Sequence, residues 1–254
     1  MPRLAFILLF ALGALPAWGQ AGLVSDLSER RIDIRTQFAG ADLMLFGAIG
    51  RASGLDLGAD FDIVAVVRGP QARALVRRKE PVLGVWVNRA AVLYQTAPGY
   101  FAMAATRPLE EVAGRDLMTI HQIGLDHLLL SPATPGGLSP SDMRAFRSGL
   151  IEHRAREGLY QTMTAPIEVL DDTLFRTRIR LPANVPTGLY RIDIYLFSQG
   201  RLVDQAYQEL DVDKTGAERL IYTFAMRRPA LYGVIAVVVA LVAGWLAGFI
   251  YRKG

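Results

Sequence analysis

The sequence predicts a mainly β fold: an antiparallel, sandwich-like (Ig-like) region with a small helical insert, followed by one C-terminal transmembrane helix. Three observations lead there. Between Ile32 and Val212, short apolar runs with a two-residue period recur at the spacing of sandwich or barrel strands. A stretch with helix-capping signals and clustered Gly and Pro interrupts them between residues 106 and 160. Finally, Pro229–Tyr251 holds no charged side chain, and a helix of that length reaches roughly 34 Å, enough for a hydrocarbon core of about 30 Å.

The chain opens with Met1–Gly19, in which Arg3 precedes an apolar run Leu4–Leu15, then Pro16 and the small residues Ala17 and Gly19. That layout predicts a secretory signal peptide over 1–19. A signal at one end and a stop-transfer helix at the other put residues 20–228 on the outer side of the inner membrane and 252–254 in the cytoplasm. The charge counts flanking the helix are equal (Arg227 and Arg228 against Arg252 and Lys253), so the signal peptide sets the orientation. No cysteine occurs in the 254 residues, which excludes disulfides, thiol nucleophiles and a lipid-modified N-terminal cysteine. The formal charge of +4 falls to +1 for the displayed part once Arg3, Arg252 and Lys253 are set aside. The pI of 9.5 therefore gives no reason to expect a nucleic-acid partner.

Residues 20–105 form a first β-rich region. Ile32 and Ile34 alternate with Asp33 and Arg35, Phe38–Gly47 has a glycine-marked entry, and Asp62–Arg68 is a buried strand closed by Gly69 and Pro70. Ala72–Lys79 and Val82–Asn88 are expected to pair around Glu80-Pro81, and Ala90–Gln95 with Tyr100–Ala105 across Ala97-Pro98-Gly99. In the helical insert (106–160), Thr106 is a candidate cap for a helix to Ala113. Ser139, with Pro140 and Asp142, caps a second helix that Gly158 ends. Region 161–213 continues the sandwich with strands Met163–Val169, Phe175–Leu181, Tyr190–Phe197 and Leu202–Val212. Their alternation predicts a sheet with one wet face. Trp86 and Tyr190 are expected to be core anchors. Over 214–228, Ala217, Leu220, Ile221, Phe224 and Ala225 have the spacing of an amphipathic juxtamembrane helix.

Few residues suggest chemistry. No GxSxG, phosphate-binding loop or nucleotide fingerprint is present. Asp116, His121, Asp126 and His127 match no zinc spacing, and Asp56, Asp60 and Asp62 lack the order of a calcium loop; no metal, cofactor or catalytic residue is expected. The basic run Arg73, Arg77, Arg78 and Lys79 is a candidate anion contact or a solvated strand edge. The ladder of Arg176, Arg178 and Arg180 reads as a solvent face. Ala236, Ala240, Gly244 and Gly248 fall four apart on the C-terminal helix, a small-residue face along which a second helix can approach closely.

The chain also resembles a family of alphaproteobacterial transmembrane proteins over essentially all of its mature length. The resemblance rests on Ala41-Asp-Leu-Met-Leu-Phe-Gly-Ala48, Asp62-Ile-Val-Ala-Val-Val-Arg-Gly-Pro70, Gly84-Val-Trp-Val-Asn88, Ala105-Thr-Arg-Pro-Leu109, Leu181-Pro-Ala-Asn-Val-Pro186 and Arg228-Pro-Ala-Leu-Tyr-Gly233. It implies an exported, membrane-anchored protein and brings no activity or site residue with it. The expected function is a non-enzymatic accessory or scaffolding role. Its partners would be the lipid bilayer and another inner-membrane protein, such as a transporter, or a second copy bound through the helix. The alternative is a periplasmic sensor or binding module for a small anion or envelope component.

Overall fold

Tyr190, Ile192, Ile194 and Leu196 alternate along one strand, and all four side chains are fully buried. That strand, β12 (Gly188–Ser198), lies inside a six-stranded sheet of order β2-β13-β12-β4-β7-β9. The other members are β2 (Arg31–Ile34), β13 (Arg201–Lys214), β4 (Phe61–Arg68), β7 (Phe101–Ala105) and β9 (Tyr160–Thr162). A second sheet has the order β1-β3-β11-β10, formed by Leu23–Leu27, Ala41–Ile49, Leu174–Leu181 and Glu168–Leu170. Pairing is antiparallel except for β2 with β13 and β7 with β9. The computed structural model describes residues 22–35, 37–50, 60–133, 138–162, 166–171, 173–214 and 225–251. The expected signal peptide, Asp56 and most of the expected juxtamembrane helix lie outside them.

The strand order is that of an immunoglobulin-type sandwich. In the usual letters, β1-β3-β11-β10 runs A-B-E-D, and β2-β13-β12-β4-β7 runs A′-G-F-C-C′. Leu43, Leu45, Phe175, Ile179 and Leu181 from the first sheet join Ile63, Val67, Ile192 and Ile194 from the second in one core. The two β-rich regions of the sequence are therefore interleaved, with β11 bonded to β3 over Leu174–Leu181. Gly47 allows the closest approach: a Cβ there would fall inside contact distance of the Val24 carbonyl and the Phe175 ring. The Tyr190 hydroxyl donates to the carbonyl of Pro186 at 2.6 Å, the arrangement called a tyrosine corner at the start of strand F. Alternation on β11 does leave Arg176, Arg178 and Arg180 exposed while Phe175, Thr177, Ile179 and Leu181 are buried.

Several local expectations are overturned. The pairing expected around Glu80-Pro81 is displaced: β5 (Gln71–Val82) runs straight through Pro81, and Leu83-Gly84 makes the turn with φ of 50° and 82°. Two successive positive φ angles suit the twist of a two-residue hairpin, and glycine takes the second without strain. The return strand β6 (Val85–Pro98) stays with β5 and does not pair with Tyr100–Ala105, which joins β4 instead. Trp86 is exposed, not a core anchor. Thr106 caps no helix; its hydroxyl donates to Asp62 at 2.9 Å, and α1 is only Leu109–Val112.

The insert also contains α2 (Arg115–Ile120), a 3-10 turn at Leu125–His127 and the two-residue β8 (Ser131–Pro132), which pairs with β6; none was predicted. The third helix, α3 (Pro140–Arg156), starts as expected, with Ser139 accepting from the Asp142 amide in a reciprocal capping box. Hydrogen bonds from Arg78, and then from Ser139, hold the Asp142 carboxyl below its ordinary range. The final helix, α4 (Pro229–Tyr251), has side chains described as far as Trp245. Among the described residues, no helix is long and apolar enough to cross a membrane.

Burial raises the phenols of Tyr100 and Tyr190 well above their ordinary value and pushes that of Tyr160 up to about 12. A raised folded-state pKa means the folded chain keeps protons that the unfolded chain loses near pH 10. The stabilisation is thus complete below pH 10 and is lost as pH rises toward 12 and beyond. Urea unfolding of the detergent-solubilised chain should show this alkaline loss. Tyr190→Phe should cost roughly 1 kcal/mol at pH 8 through the missing hydrogen bond and make the loss between pH 10 and 12 shallower.

Candidate functional site

The outward face of β12 is wet only at its start, where Leu189 and Arg191 are exposed. Asp193, Tyr195 and Phe197 are buried, with the insert packed against this stretch as a third layer, so the expected wet face is confined to one end of β12. Asp193 bonds Arg68 of β4, directly and as an ion pair, and accepts from Arg191 Nε at 2.7 Å. The other arm of Arg68 donates to the carbonyls of His121 and Gln122 at 2.7 and 3.0 Å. One guanidinium thus ties the sheet to the loop after α2, where Gln122 has φ of 52°. The His121 ring packs on Tyr195 with centroids 5.1 Å apart. Removing one member of a buried pair strands the other charge, which typically costs about 3–5 kcal/mol. Asp193→Ala should destabilise the protein by that order in chemical unfolding. Arg31→Ala, which breaks the exposed pair with Asp211, should cost under about 1 kcal/mol.

Beside this contact the insert encloses a cleft of about 850 Å³, open to solvent on one side. Its apolar lining includes Met103 of β7, Met118 of α2 and Ile151 of α3; its polar lining includes Glu110, Arg115, Asp126 and His127. Arg147 of α3 holds the 3-10 turn in place, with Nη2 reaching the carbonyls of Leu125, Asp126 and Leu128 at 3.1, 2.9 and 2.8 Å. The Thr119 hydroxyl lies 2.8 Å from His127 Nδ1 and donates to the Arg115 carbonyl at 2.9 Å. The Arg115 carbonyl and His127 Nδ1 thus compete for the single hydroxyl proton of Thr119, and the contact orients the His127 ring within the cleft. A concave wall with a few convergent polar groups is suited to binding a small molecule.

The sequence placed Asp126 and His127 beside His121 and Asp116 as a rejected metal set. In the structure the two imidazoles go different ways, His121 to Tyr195 and His127 to Thr119. Among the described residues, no three His, Asp or Glu side chains could hold an ion together. Asp60 and Asp62 do not share a ligand: Asp62 is buried and accepts from Thr106 and from Arg107 Nε at 2.7 Å. Glu110 and Arg115 were missed as cleft residues. The only signal available for them was their position in short helices, which says nothing about what they face.

The candidate anion contacts Arg73, Arg77, Arg78 and Lys79 all lie on β5 but do not converge. Arg73, Arg77 and Lys79 are exposed. Arg78 pairs with Asp142 at 2.7 Å and stands 5.6 Å over the Phe146 ring, so it docks the hairpin onto α3. A bulge between Arg78 and Lys79 marks where support ends. Beyond it the described side chains as far as Asn88 are exposed on both strands, among them Leu83, Val85 and Trp86.

On α4, Ala236, Ala240 and Gly244 lie along one exposed side of the helix; the Gly248 side-chain position is outside the described residues. A Cβ added at Gly244 would meet nothing within 4 Å, so this face packs against no described part of the chain. Among curated proteins none matches the chain. A family model described as Putative transmembrane protein (Alph_Pro_TM) matches residues 22–253, nearly the whole length, and the chain belongs to that family.

Proposed function

We propose that the protein is an exported, non-enzymatic accessory or scaffolding subunit, held in the inner membrane by α4 and associated there with another membrane protein such as a transporter. The observation that carries this reading is the uncovered apolar surface of α4. Tyr232 is 40% and Trp245 70% exposed, with the valines and leucines between them comparably open on every side. No charged residue occurs from Pro229 to Tyr251, and Arg227, Arg228, Arg252 and Lys253 bracket the run. An all-round apolar helix needs lipid or other helices around it, and a helix meets its own backbone hydrogen bonds in doing so. The N-terminal run behind Arg3 supports export, with the Ig-type domain on the periplasmic side.

The small residues Ala236, Ala240, Gly244 and Gly248 give this helix a face suited to close helix contact. Gly244→Leu has open space within the chain itself, so a change in complex size would report an intermolecular contact. The double variant with Gly248→Leu should lose a membrane partner that co-purifies after crosslinking in native membranes, while remaining in the carbonate-resistant fraction. An unchanged complex would defeat the helix-face reading. Release by carbonate, or a C-terminal tag reachable from outside intact cells, would defeat the anchor.

The 850 Å³ cleft favours a second reading, a periplasmic binding module for a small envelope component. Arg115 and His127 would then be the contacts to test. Replacing either with Ala should abolish ligand-induced thermal stabilisation without loss of the partner complex.

A further inference from the structure

We propose that the tip of the β5–β6 hairpin is a second membrane contact, a wedge that seats in the lipid interface while its basic shoulder meets anionic headgroups. The proposal rests on the anchored reading of α4. Pro81, Val82, Leu83, Val85, Trp86 and Val87 form a continuous exposed tip, with Leu83 fully exposed, Val85 64% and Trp86 66%. A two-stranded ribbon with apolar residues on both faces and no second layer is poorly stable in water, so this tip is built for an apolar surrounding. The turn Leu83-Gly84 is tight, and the pairs Val82 with Val85 and Pro81 with Trp86 hold it in one shape.

The spacing of charge fits a bilayer surface better than a protein groove. Lys79 pairs with Asn88, three residues behind the Val82–Val85 row, and at about 3.4 Å per residue that is about 10 Å. Interfacial segments bury their apolar part about 5–10 Å into the headgroup and acyl boundary. Lys79 and Arg77 would then stand at phosphate level when the turn is seated. Trp86 lies one row behind the turn, at the depth where indoles collect in membrane proteins. From Arg77 to Arg89 the sequence has four cations against the single acid Glu80, and with Arg78 paired to Asp142 the cations Arg77, Lys79 and Arg89 still outnumber it. A net positive shoulder gains from anionic lipid.

β4 and β13 both run antiparallel to β12, so the root of the hairpin at Gln71 and the end of β13 at Lys214 lie at the same end of the sandwich. The turn at Leu83 stands twelve residues from that root, up to about 40 Å away. From Lys214 to Pro229 the chain can span at most roughly 50 Å, a tether long enough for the turn to meet the bilayer even where it points away from Lys214.

Tryptophan placement tests this on the full chain. With Trp18→Phe and Trp245→Phe, Trp86 is the only indole; with Trp18→Phe and Trp86→Phe, Trp245 is. Each protein is reconstituted in phosphatidylglycerol vesicles carrying bromine on the acyl chains, and in phosphatidylcholine vesicles of the same kind. The wedge predicts that Trp86 emission shifts to shorter wavelength and is quenched by bromine, more strongly in phosphatidylglycerol, and that Leu83→Asp abolishes both effects. If Trp245 is quenched and Trp86 is not, the wedge is overturned and the anchor stands. If neither is quenched, the anchor reading fails as well. Trp86 that is water-exposed in pure lipid but shielded in native membranes overturns the lipid contact in favour of a protein partner.

Discussion

Asp193 is a carboxylate closed in between a sheet and a helical layer, and its neutralisation by Arg68 and Arg191 is the condition on which the architecture rests. A buried charge without a partner would cost several kcal/mol, so this position is stable only while the cations are delivered to it. Arg68 comes from the neighbouring strand and also holds the His121 and Gln122 carbonyls. One side chain therefore sets both strand pairing and the seat of the insert. With the insert fixed there, Tyr195 and Phe197 are covered and the cleft beside Met103 and His127 acquires its walls.

That third layer divides the molecule into parts with different freedom. The sandwich core is closed on itself: three tyrosine hydroxyls reach backbone carbonyls, Tyr100 with Arg180, Tyr160 with Pro98 and Tyr190 with Pro186. The hairpin leaves this body, pairs near its base with β8 and is steadied further out where Arg78 meets Asp142 and Phe146. Past that contact, among the described residues, its strands have only each other. The helix after residue 228 shows an open apolar surface of another kind, apolar on every side and uncharged. These two surfaces, at the hairpin tip and along the C-terminal helix, are the longest runs of exposed apolar side chains among the described residues. Both suit a protein that works against a membrane.

Part of this was legible from residue order. Period-two alternation identified β11 and β12 because a strand with one buried face must alternate. Ser139, Pro140 and Asp142 announced α3 because a capping box is a local bargain between neighbouring residues. Where two readings used the same residues, local signals misled. Glu80-Pro81 carries a turn signal, yet Pro81 lies in a strand, which a free ribbon edge tolerates because proline lacks only a donor that nothing there requires. The size of Trp86 points to a core, yet it is exposed, because size does not say which way a hairpin points.

The sequence by itself determined the membership of residues in faces, the capped helix, the absence of thiol chemistry and the uncharged C-terminal run. Each of these depends on neighbours within a few positions or on composition. Only tertiary structure decided that β12 is covered on both sides from Asp193 onward, that Asp126 and His127 line one cleft, and that Arg78 is spent on docking while Arg77 and Lys79 stay in solvent. Those outcomes turn on contacts between residues as far apart as Arg68 and Asp193. Periodicity in a single segment reports that a face exists, and what lies against that face is settled by the packing of distant segments.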